Sequence, residues 1–164
     1  MDLKALSAPL KGNQIEFRVG RKVKGGSILL AYKDARCDMQ RLDDAVGPLN
    51  WKREHLRENH NCIVSIWNQE TGQWVSKEDT GTESNTEAQK GLASDSFKRA
   101  CTNWGIGREL YDYPTVYINH GDAEKIYPNQ WEAYNEHDAE GNLTFLALRD
   151  NTGEVRFRWG ERKK

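Results

Sequence analysis

The sequence predicts an α+β fold in which an antiparallel β-meander is followed by one long helix. Three short strand-like runs between Trp51 and Lys77 are separated by few residues, as in a meander of adjacent antiparallel strands. Ser84 and Glu87 have the spacing of a capping box, which opens a helix by satisfying its first backbone N–H groups. The apolar stripe that follows has a helical period and extends to about Asn103.

Before the meander, the sequence predicts a hairpin and a first helix. Apolar and polar residues alternate over 15–19, which indicates a half-buried strand. A basic, glycine-containing loop at 21–27 then leads into a more buried strand at 27–32. Over 34–46 the apolar residues recur at helical spacing, and a Gly-Pro dipeptide ends that helix.

Turn residues mark the remaining elements. Gly72 lies in the last turn of the meander, and Gly105 is placed to adopt the left-handed conformation after the long helix. Residues 115–142 show no clear pattern. Strands are predicted at 51–56, 62–67 and 74–77 in the meander, and at 143–148 and 155–159 in a C-terminal hairpin.

The composition argues against several classes of protein. Apolar residues make up 37% of the 164 residues and charged residues 30%, while six Trp, six Tyr and four Phe supply large core side chains. No apolar run approaches the roughly 20 residues that span a bilayer, and no secretory signal follows Met1. Three widely spaced cysteines argue against a disulfide framework. We therefore expect one folded domain, residues 1–164, located in a cytoplasm.

Charge is distributed unevenly along the chain. The net charge is −1, but residues 1–36 contain eight basic and three acidic residues and carry +5, against −6 for the other 128. Basic side chains cluster at 18–24 and again at Lys98 and Arg99 on the long helix. For an arbitrary helix, a solvated face is the more common explanation of a cluster like the second one. Two such clusters with exposed aromatic rings also suit a groove for single-stranded nucleic acid, where cations follow the backbone and rings support bases.

No convincing catalytic or metal-binding motif is present. Residues 20–27 have the spacing of a Walker phosphate loop, but Gly26 stands where that motif needs its lysine. His55, His60 and Cys62 lack the paired spacing of metal ligands and are better explained as polar strand and turn residues. We therefore expect no cofactor, no metal and no enzymatic activity.

Three blocks of sequence occur in a recognisable order. The first is YKDAR at 32–36 with RLDDAVG at 41–47 and Asn50-Trp51, the second is the meander at 62–80, and the third is Glu87-Ala88 and SFKRAC at 96–101, then WGIGR at 104–108 and Leu110-Tyr111. Together they resemble the Rad52 family of single-strand annealing proteins, especially its short phage and prophage members of the Sak type. The third block is the most specific, and the resemblance covers about residues 15–114.

The resemblance implies a β-β-β-α core, with the meander packed on the long helix beside a flanking hairpin. Protomers of the family assemble side by side into a ring or a helical filament. Single-stranded DNA lies in a positively charged groove with its bases turned outward, and neither ATP nor metal is needed. Residues 115–164 lie outside the resemblance and form a C-terminal hairpin extension.

The resemblance also implies candidate DNA-binding residues. Lys98 and Arg99 match the paired basic residues of the groove floor, and Lys90 matches a basic position one or two turns earlier. Arg18 is the best match for a groove arginine, with two neighbouring basic residues as alternatives. Thr102 stands where many eukaryotic members have a further arginine, which removes one phosphate contact. The complete candidate set is Lys98, Arg99, Arg18, Lys90, Arg21, Lys22, Lys24, Tyr32 and Arg36.

The leading hypothesis is a single-stranded DNA-binding protein, phage-encoded and cytoplasmic in a bacterial host. It would anneal complementary strands in ATP-independent homologous recombination and double-strand break repair. An alternative is a metal-dependent nuclease or other nucleic-acid enzyme that uses His55, His60 or acidic residues. A third is a structural or regulatory protein whose basic patch binds an acidic partner. The expected partners are single-stranded DNA, further copies of the chain and, as a further candidate, a single-strand-binding protein, with no membrane contact.

Overall fold

The computed structural model describes residues 2–82, 88–121 and 124–162 of the chain. It confirms the α+β class, because it contains three small antiparallel sheets of three strands each together with a few helices. No helix among these described residues is long and apolar enough to cross a membrane.

The chain divides into two compact units, each with its own sheets. We call the first the meander unit, which comprises Met1–Ala8 and Asp34–Arg108. The second, the two-sheet unit, comprises Pro9–Lys33 and Glu109–Lys164. Both units are therefore built from segments that are distant in sequence. The assignment of residues 1–164 to a single domain stays a prediction.

The elements follow one another in a mixed order along the chain. The helices are α1 (Leu3–Leu6), α2 (Ala35–Val46) and α3 (Ala88–Asn103), and short 3-10 helices lie at Gly12–Gln14, Arg108–Asp112 and Pro128–Gln130. The strands are β1 (Glu16–Val23), β2 (Gly26–Tyr32), β3 (Trp51–Leu56), β4 (Asn61–Asn68), β5 (Gln73–Thr80), β6 (Val116–Asn119), β7 (Glu132–His137), β8 (Leu143–Arg149) and β9 (Val155–Gly160).

The meander unit contains the predicted β-β-β-α core. Strands β3, β4 and β5 pair in that order, with Trp51 opposite Ile66 and Ile66 opposite Val75. Cross-strand partners share a face of a sheet, and α3 packs on the face that carries these residues. Phe97 of α3 is fully buried there, and its ring centroid lies 6.2 Å from that of Trp51. The meander therefore supports α3 along its apolar side and leaves the other side to polar residues.

The ends of the helices follow local sequence signals. Asp34 caps α2 by accepting a hydrogen bond from the backbone N–H two residues later at 2.7 Å, and Gly47 follows the last turn with a φ of 88°. Gly105, which is predicted to end the long helix, has a φ of 99° and lies in the left-handed region. The predicted capping box at Ser84 and Glu87 falls outside the described residues.

The two-sheet unit contains two further three-stranded sheets, in the orders β1-β2-β6 and β7-β8-β9. The predicted C-terminal hairpin is confirmed as β8 and β9. Strands β6 and β7 arise from the segment that shows no clear sequence pattern. Strand β6 pairs with β2 across a long stretch of chain, with Val116 opposite Leu29. Both side chains are buried, so this long-range contact compensates for the weak local signal of β6.

The predicted loop at 21–27 is wrong. Strand β1 continues to Val23 and β2 begins at Gly26, so Lys24 and Gly25 alone form the turn. The register shifts between Val19 and Arg21, which is a β-bulge at the intervening glycine. The bulge breaks the apolar alternation while the backbone pairing continues, and the sequence pattern therefore suggests a loop where the chain forms a hairpin.

Candidate nucleic-acid interface

Lys98 and Arg99 both lie on the polar side of α3, but their side chains point to opposite flanks of the helix. Consecutive helical residues are rotated by about 100° from each other. The Arg99 Nε donates to Asp79 Oδ1 on β5 at 3.2 Å, and 43% of the arginine side chain is exposed. Lys98 lies on the other flank, close enough to Asp34 for its charge to act on that carboxyl group. The structure therefore provides a nearby carboxylate for each cation of the pair.

Arg36 and Lys98 act on the same carboxylate at the start of α2. The Arg36 guanidinium donates from Nε to Asp34 Oδ1 at 3.2 Å and from Nη2 to Oδ2 at 2.9 Å. These hydrogen bonds, and to a lesser degree the charge of Lys98, hold the pKa of Asp34 below its usual value. The Arg36 side chain is nevertheless 84% exposed. Two predicted site residues are thus brought together around one ionised carboxylate.

Arg53 is a cation of this region that the sequence analysis misses. It lies on β3, and its guanidinium carbon is 4.7 Å from the centroid of the Phe97 ring. Within the described part of the chain it forms no ion pair, and its side chain is exposed. We use the name α3 cationic patch for the basic side chains around this helix, which are Arg36, Arg53, Lys98 and, on the opposite flank from Lys98, Arg99. The sequence does contain a signal for Arg53. The alternation of side chains along the strand places it on the same face as Trp51, and α3 packs on that face.

Lys90 belongs to α3, eight residues before Lys98. Its backbone is helical, but its side chain lies outside what the structure describes. Because a helix completes a turn in 3.6 residues, the two positions lie a little more than two turns apart. A role for Lys90 in the interface stays a prediction.

In the two-sheet unit, Arg18, Arg21 and Tyr32 share one exposed face of the β1-β2-β6 sheet. The Arg18 guanidinium carbon lies 5.8 Å from the centroid of the Tyr32 ring. The Tyr32 hydroxyl donates to Glu16 Oε2 at 2.7 Å, which fixes the ring beside the cation. Arg21 reaches the same face because the bulge in β1 places it opposite Ile28. We call this surface the β1–β2 face.

The other two basic candidates of this hairpin lie elsewhere. Lys22 is opposite Ser27, which is buried, so its side chain leaves β1 on the opposite side from Arg21. Lys24 is exposed in the turn between β1 and β2. The structure therefore joins Arg18 and Arg21 on one surface and separates Lys22 from them.

Tyr117 adds a second ring to the β1–β2 face, and the sequence analysis misses it. It lies opposite Ile28 on the neighbouring strand β6 and is 43% exposed. Its hydroxyl donates to the carbonyl of Gly25 at 3.1 Å, which orients the ring near the turn. Tyr117 could not be predicted because the sequence of β6 shows no strand pattern. The strand is recognisable only through its pairing with β2.

The histidine and cysteine candidates for chemistry are packed into the meander unit. His55 Nδ1 lies 3.5 Å from the hydroxyl of Ser96, a residue that is fully buried. Burial raises the pKa of the Cys62 thiol to about 11, so the thiolate that a metal would need is disfavoured. Among the described residues, no three His, Cys, Asp or Glu side chains lie close enough together to hold a metal ion.

His55 is expected to make the stability of the meander unit depend on pH. Burial, assisted by the charge of Arg53, lowers its pKa below the usual 6.5. The unfolded chain therefore binds the proton more readily than the folded chain. Protonation of His55 does not reduce the free energy of unfolding above about pH 6.5, but it lowers that free energy as the pH falls from there through the folded-state pKa. We expect the free energy of unfolding to decrease more between pH 7.5 and 5.5 in the wild type than in His55→Gln. Urea titrations followed by circular dichroism measure it, and equal decreases in both proteins would contradict the assignment.

Comparison with known proteins identifies a family and named relatives. Residues 62–125 match the family described as Rad52/22 family double-strand break repair protein. The relatives include the protein named single-stranded DNA-binding protein DdrA, 33% identical over 126 residues in Deinococcus deserti and 32% identical over 126 residues in Deinococcus radiodurans. Each match covers 74% of this chain but only 62% and 60% of the respective relatives. This chain therefore spans about three fifths of their length. No solved structure shows a significant match.

Proposed function

This chain belongs to the Rad52/22 family of double-strand break repair proteins, and from that premise we propose that it binds single-stranded DNA and anneals complementary strands. The observation that carries the proposal is the basic pair of half-buried Lys98 and exposed Arg99, which lie on different flanks of a helix inside the matched segment. The relatives named for single-stranded DNA binding support the same ligand. The expected role is in homologous recombination that repairs double-strand breaks.

The contacts of the α3 cationic patch suit a ligand that binds and leaves. Arg99 is held by Asp79 and Arg36 by Asp34, in pairs at the surface whose arginine side chains are 43% and 84% exposed and whose aspartates are 24% and 37% exposed. Surface ion pairs of this kind contribute only about 0–1 kcal/mol. Phosphate groups can therefore displace the carboxylates at low cost, while the carboxylates keep the cations in position when no strand is bound.

Annealing also requires the bases to stay accessible to a second strand. Contacts to phosphates hold the backbone and carry no sequence information. The β1–β2 face adds Tyr32 and Tyr117, whose rings can support bases of any identity. Because no covalent bond is made or broken, this activity needs neither a nucleophile nor an activated water. We therefore propose a binding protein rather than an enzyme.

Annealing of complementary oligonucleotides is expected to proceed in EDTA and without any nucleotide. The reason is that phosphate neutralisation and base pairing supply the whole driving force. Strands labelled with a fluorophore and a quencher report the rate, and a non-complementary strand is the control. An absolute requirement for ATP or magnesium, or digestion of the labelled strand, would favour the nuclease hypothesis instead.

We further propose that the protein acts as a homo-oligomer in the cytoplasm of a bacterial host. A ring and a helical filament are both compatible with side-by-side assembly, and a single-strand-binding protein is a candidate partner. Origin from a phage or prophage stays a prediction. Removal of a coating protein from the strand would favour annealing, since the bases must be exposed before they can pair.

A further inference from the structure

A groove of about 760 Å³ runs along one face of the β7-β8-β9 sheet in the two-sheet unit. It lies beyond residue 125, the end of the family match, except for a short contribution from residues 9–13. Four cationic side chains line it against a single carboxylate. Its lining includes Lys11, Tyr134, Glu136, Arg149, Arg158 and Arg162.

The strand register explains why the groove is positively charged. Tyr134 lies opposite Ala147, and Ala147 lies opposite Arg158, so the three side chains share a face of the sheet. Arg149 is two residues beyond Ala147 on β8 and therefore points to the same side. The register between β8 and β9 shifts after Leu148, so Arg149 lies opposite Val155, beyond the pair that Ala147 forms with Arg158. One face of the sheet thus carries two guanidinium groups, one over the ring of Tyr134 and the other over the ring of Phe145.

These two arginines lie over aromatic rings and make no ion pair within the described residues. The guanidinium carbon of Arg149 is 5.3 Å from the centroid of Tyr134, and that of Arg158 is 5.5 Å from the centroid of Phe145. Within residues 2–82, 88–121 and 124–162, neither arginine forms an ion pair. A guanidinium that lies over a ring keeps its N–H donors around its edge, where they can bind an anion.

Two other arginines of the same region make the contrast clear. Arg156, also on β9, donates to Asp150 at 3.0 Å and to Glu124 at 3.4 Å. Arg162 pairs with Glu136 at 3.0 Å at the edge of the groove. The unit therefore pairs Arg156 and Arg162 with carboxylates, whereas Arg149 and Arg158 line a concave surface without an ion pair. Glu132 is the cross-strand neighbour of Arg149, but its carboxylate accepts from the Tyr134 hydroxyl at 2.6 Å. The charge of Arg149 and Arg158 favours an anionic ligand.

We propose that this groove is a second contact surface for single-stranded nucleic acid, in which Arg149 and Arg158 bind phosphates and Tyr134 supports a base. The identity of the ligand rests on the proposed function. Tyr134 favours a nucleic acid over an acidic peptide, because its ring is 45% exposed beside the cations. A nucleobase offers a flat face to stack on such a ring, which glutamate and aspartate side chains do not.

The double variant Arg149→Gln with Arg158→Gln tests the phosphate contacts. Each phosphate contact to a single strand contributes about 0.7 to the slope of log affinity against log salt. We therefore expect the slope to fall by about 1.4 in fluorescence anisotropy titrations with an oligothymidylate. The matched control, Lys4→Gln with Lys125→Gln, removes the same charge from exposed positions outside the groove and should leave the slope unchanged. A slope equal to that of the wild type in the arginine variant would overturn the proposal.

A second measurement examines the base contact directly. An oligonucleotide that contains 5-iodouracil should cross-link to Tyr134 on irradiation. Tyr134→Ala should weaken binding at least about fivefold, the lower end of what one stacked base contributes, while Tyr134→Phe keeps the ring and the affinity. A circular dichroism melt shows whether the arginine variant folds. If it does not fold, Tyr134→Ala tests the proposal in its place. Absence of the cross-link, with wild-type affinity in Tyr134→Ala, would overturn the proposal.

The outcomes separate this inference from the proposed function. If the wild type binds strands but both groove variants behave like it, the groove proposal fails and the proposed function stands. If the wild type binds no single strand at all, both fail together. Polyglutamate is the probe for the alternative of an acidic protein segment. If the groove variants lose affinity for polyglutamate but keep wild-type affinity for the oligothymidylate, the groove binds an acidic protein segment, and the proposal of a nucleic-acid contact is overturned.

Discussion

Replacement of Lys98 and Arg99 by alanine is expected to weaken binding of single-stranded DNA strongly while the fold stays intact. Both side chains lie on the polar side of α3, and the helix is supported by the buried neighbours Phe97 and Ala100 on the other side. Loss of two phosphate contacts lowers the slope of log affinity against log salt by about 1.4. In an oligomer the loss is repeated in every protomer along the strand.

Anisotropy titrations at several salt concentrations and a circular dichroism melt measure these effects. Asp79→Asn is an informative control, because it releases Arg99 from its ion pair and should preserve or raise the affinity. Lys4→Gln with Lys125→Gln removes the same net charge elsewhere on the surface. Unchanged affinity of the Lys98→Ala, Arg99→Ala variant at moderate salt, with a melt like that of the wild type, would show that α3 is not the DNA-binding element.

Assembly is expected to raise the mass of the protein in solution to a multiple of the 18.9 kDa of one chain. A site of a few nucleotides per protomer makes few ionic contacts, and each stacked base adds only about 1–3 kcal/mol. Sites linked in series raise the effective concentration of each following contact. Head-to-tail contacts of this kind close into rings or continue as helices. Light scattering at micromolar protein, with and without a long single strand, measures the mass.

The exposed surfaces identify variants that should reduce this mass. Strand β5 forms an edge of the meander, where Trp74 is 39% and Val75 42% exposed. Unpaired strand edges favour pairing with another chain. In the two-sheet unit Tyr111 is 72% exposed. We expect Val75→Glu with Tyr111→Glu to shift the protein toward 18.9 kDa, whereas Leu49→Glu, in the turn after α2, should not. A wild-type mass of 18.9 kDa in both conditions would reject assembly.

Much of the meander unit is predictable from the sequence because its signals are local. The strands between Trp51 and Lys77 pair with their neighbours in the chain, so the turns between them define the order and the register. The apolar stripe of α3 has a helical period of its own, and Gly105 marks its end. The candidate residues Lys98 and Arg99 are recognisable because they form a basic pair on the polar side of that helix, opposite the stripe. Their role in binding DNA stays a prediction.

By itself the sequence determined the α+β class, the β-β-β-α core and the basic helix, since each depends on residues that are close in the chain. Only the tertiary structure decided that Tyr117 joins the β1–β2 face, that Arg53 lies over Phe97, and that Arg149 and Arg158 line one groove. The physical reason is that cross-strand register sets which side chains share a face. A bulge or a partner strand from a distant segment changes that face without changing the local pattern.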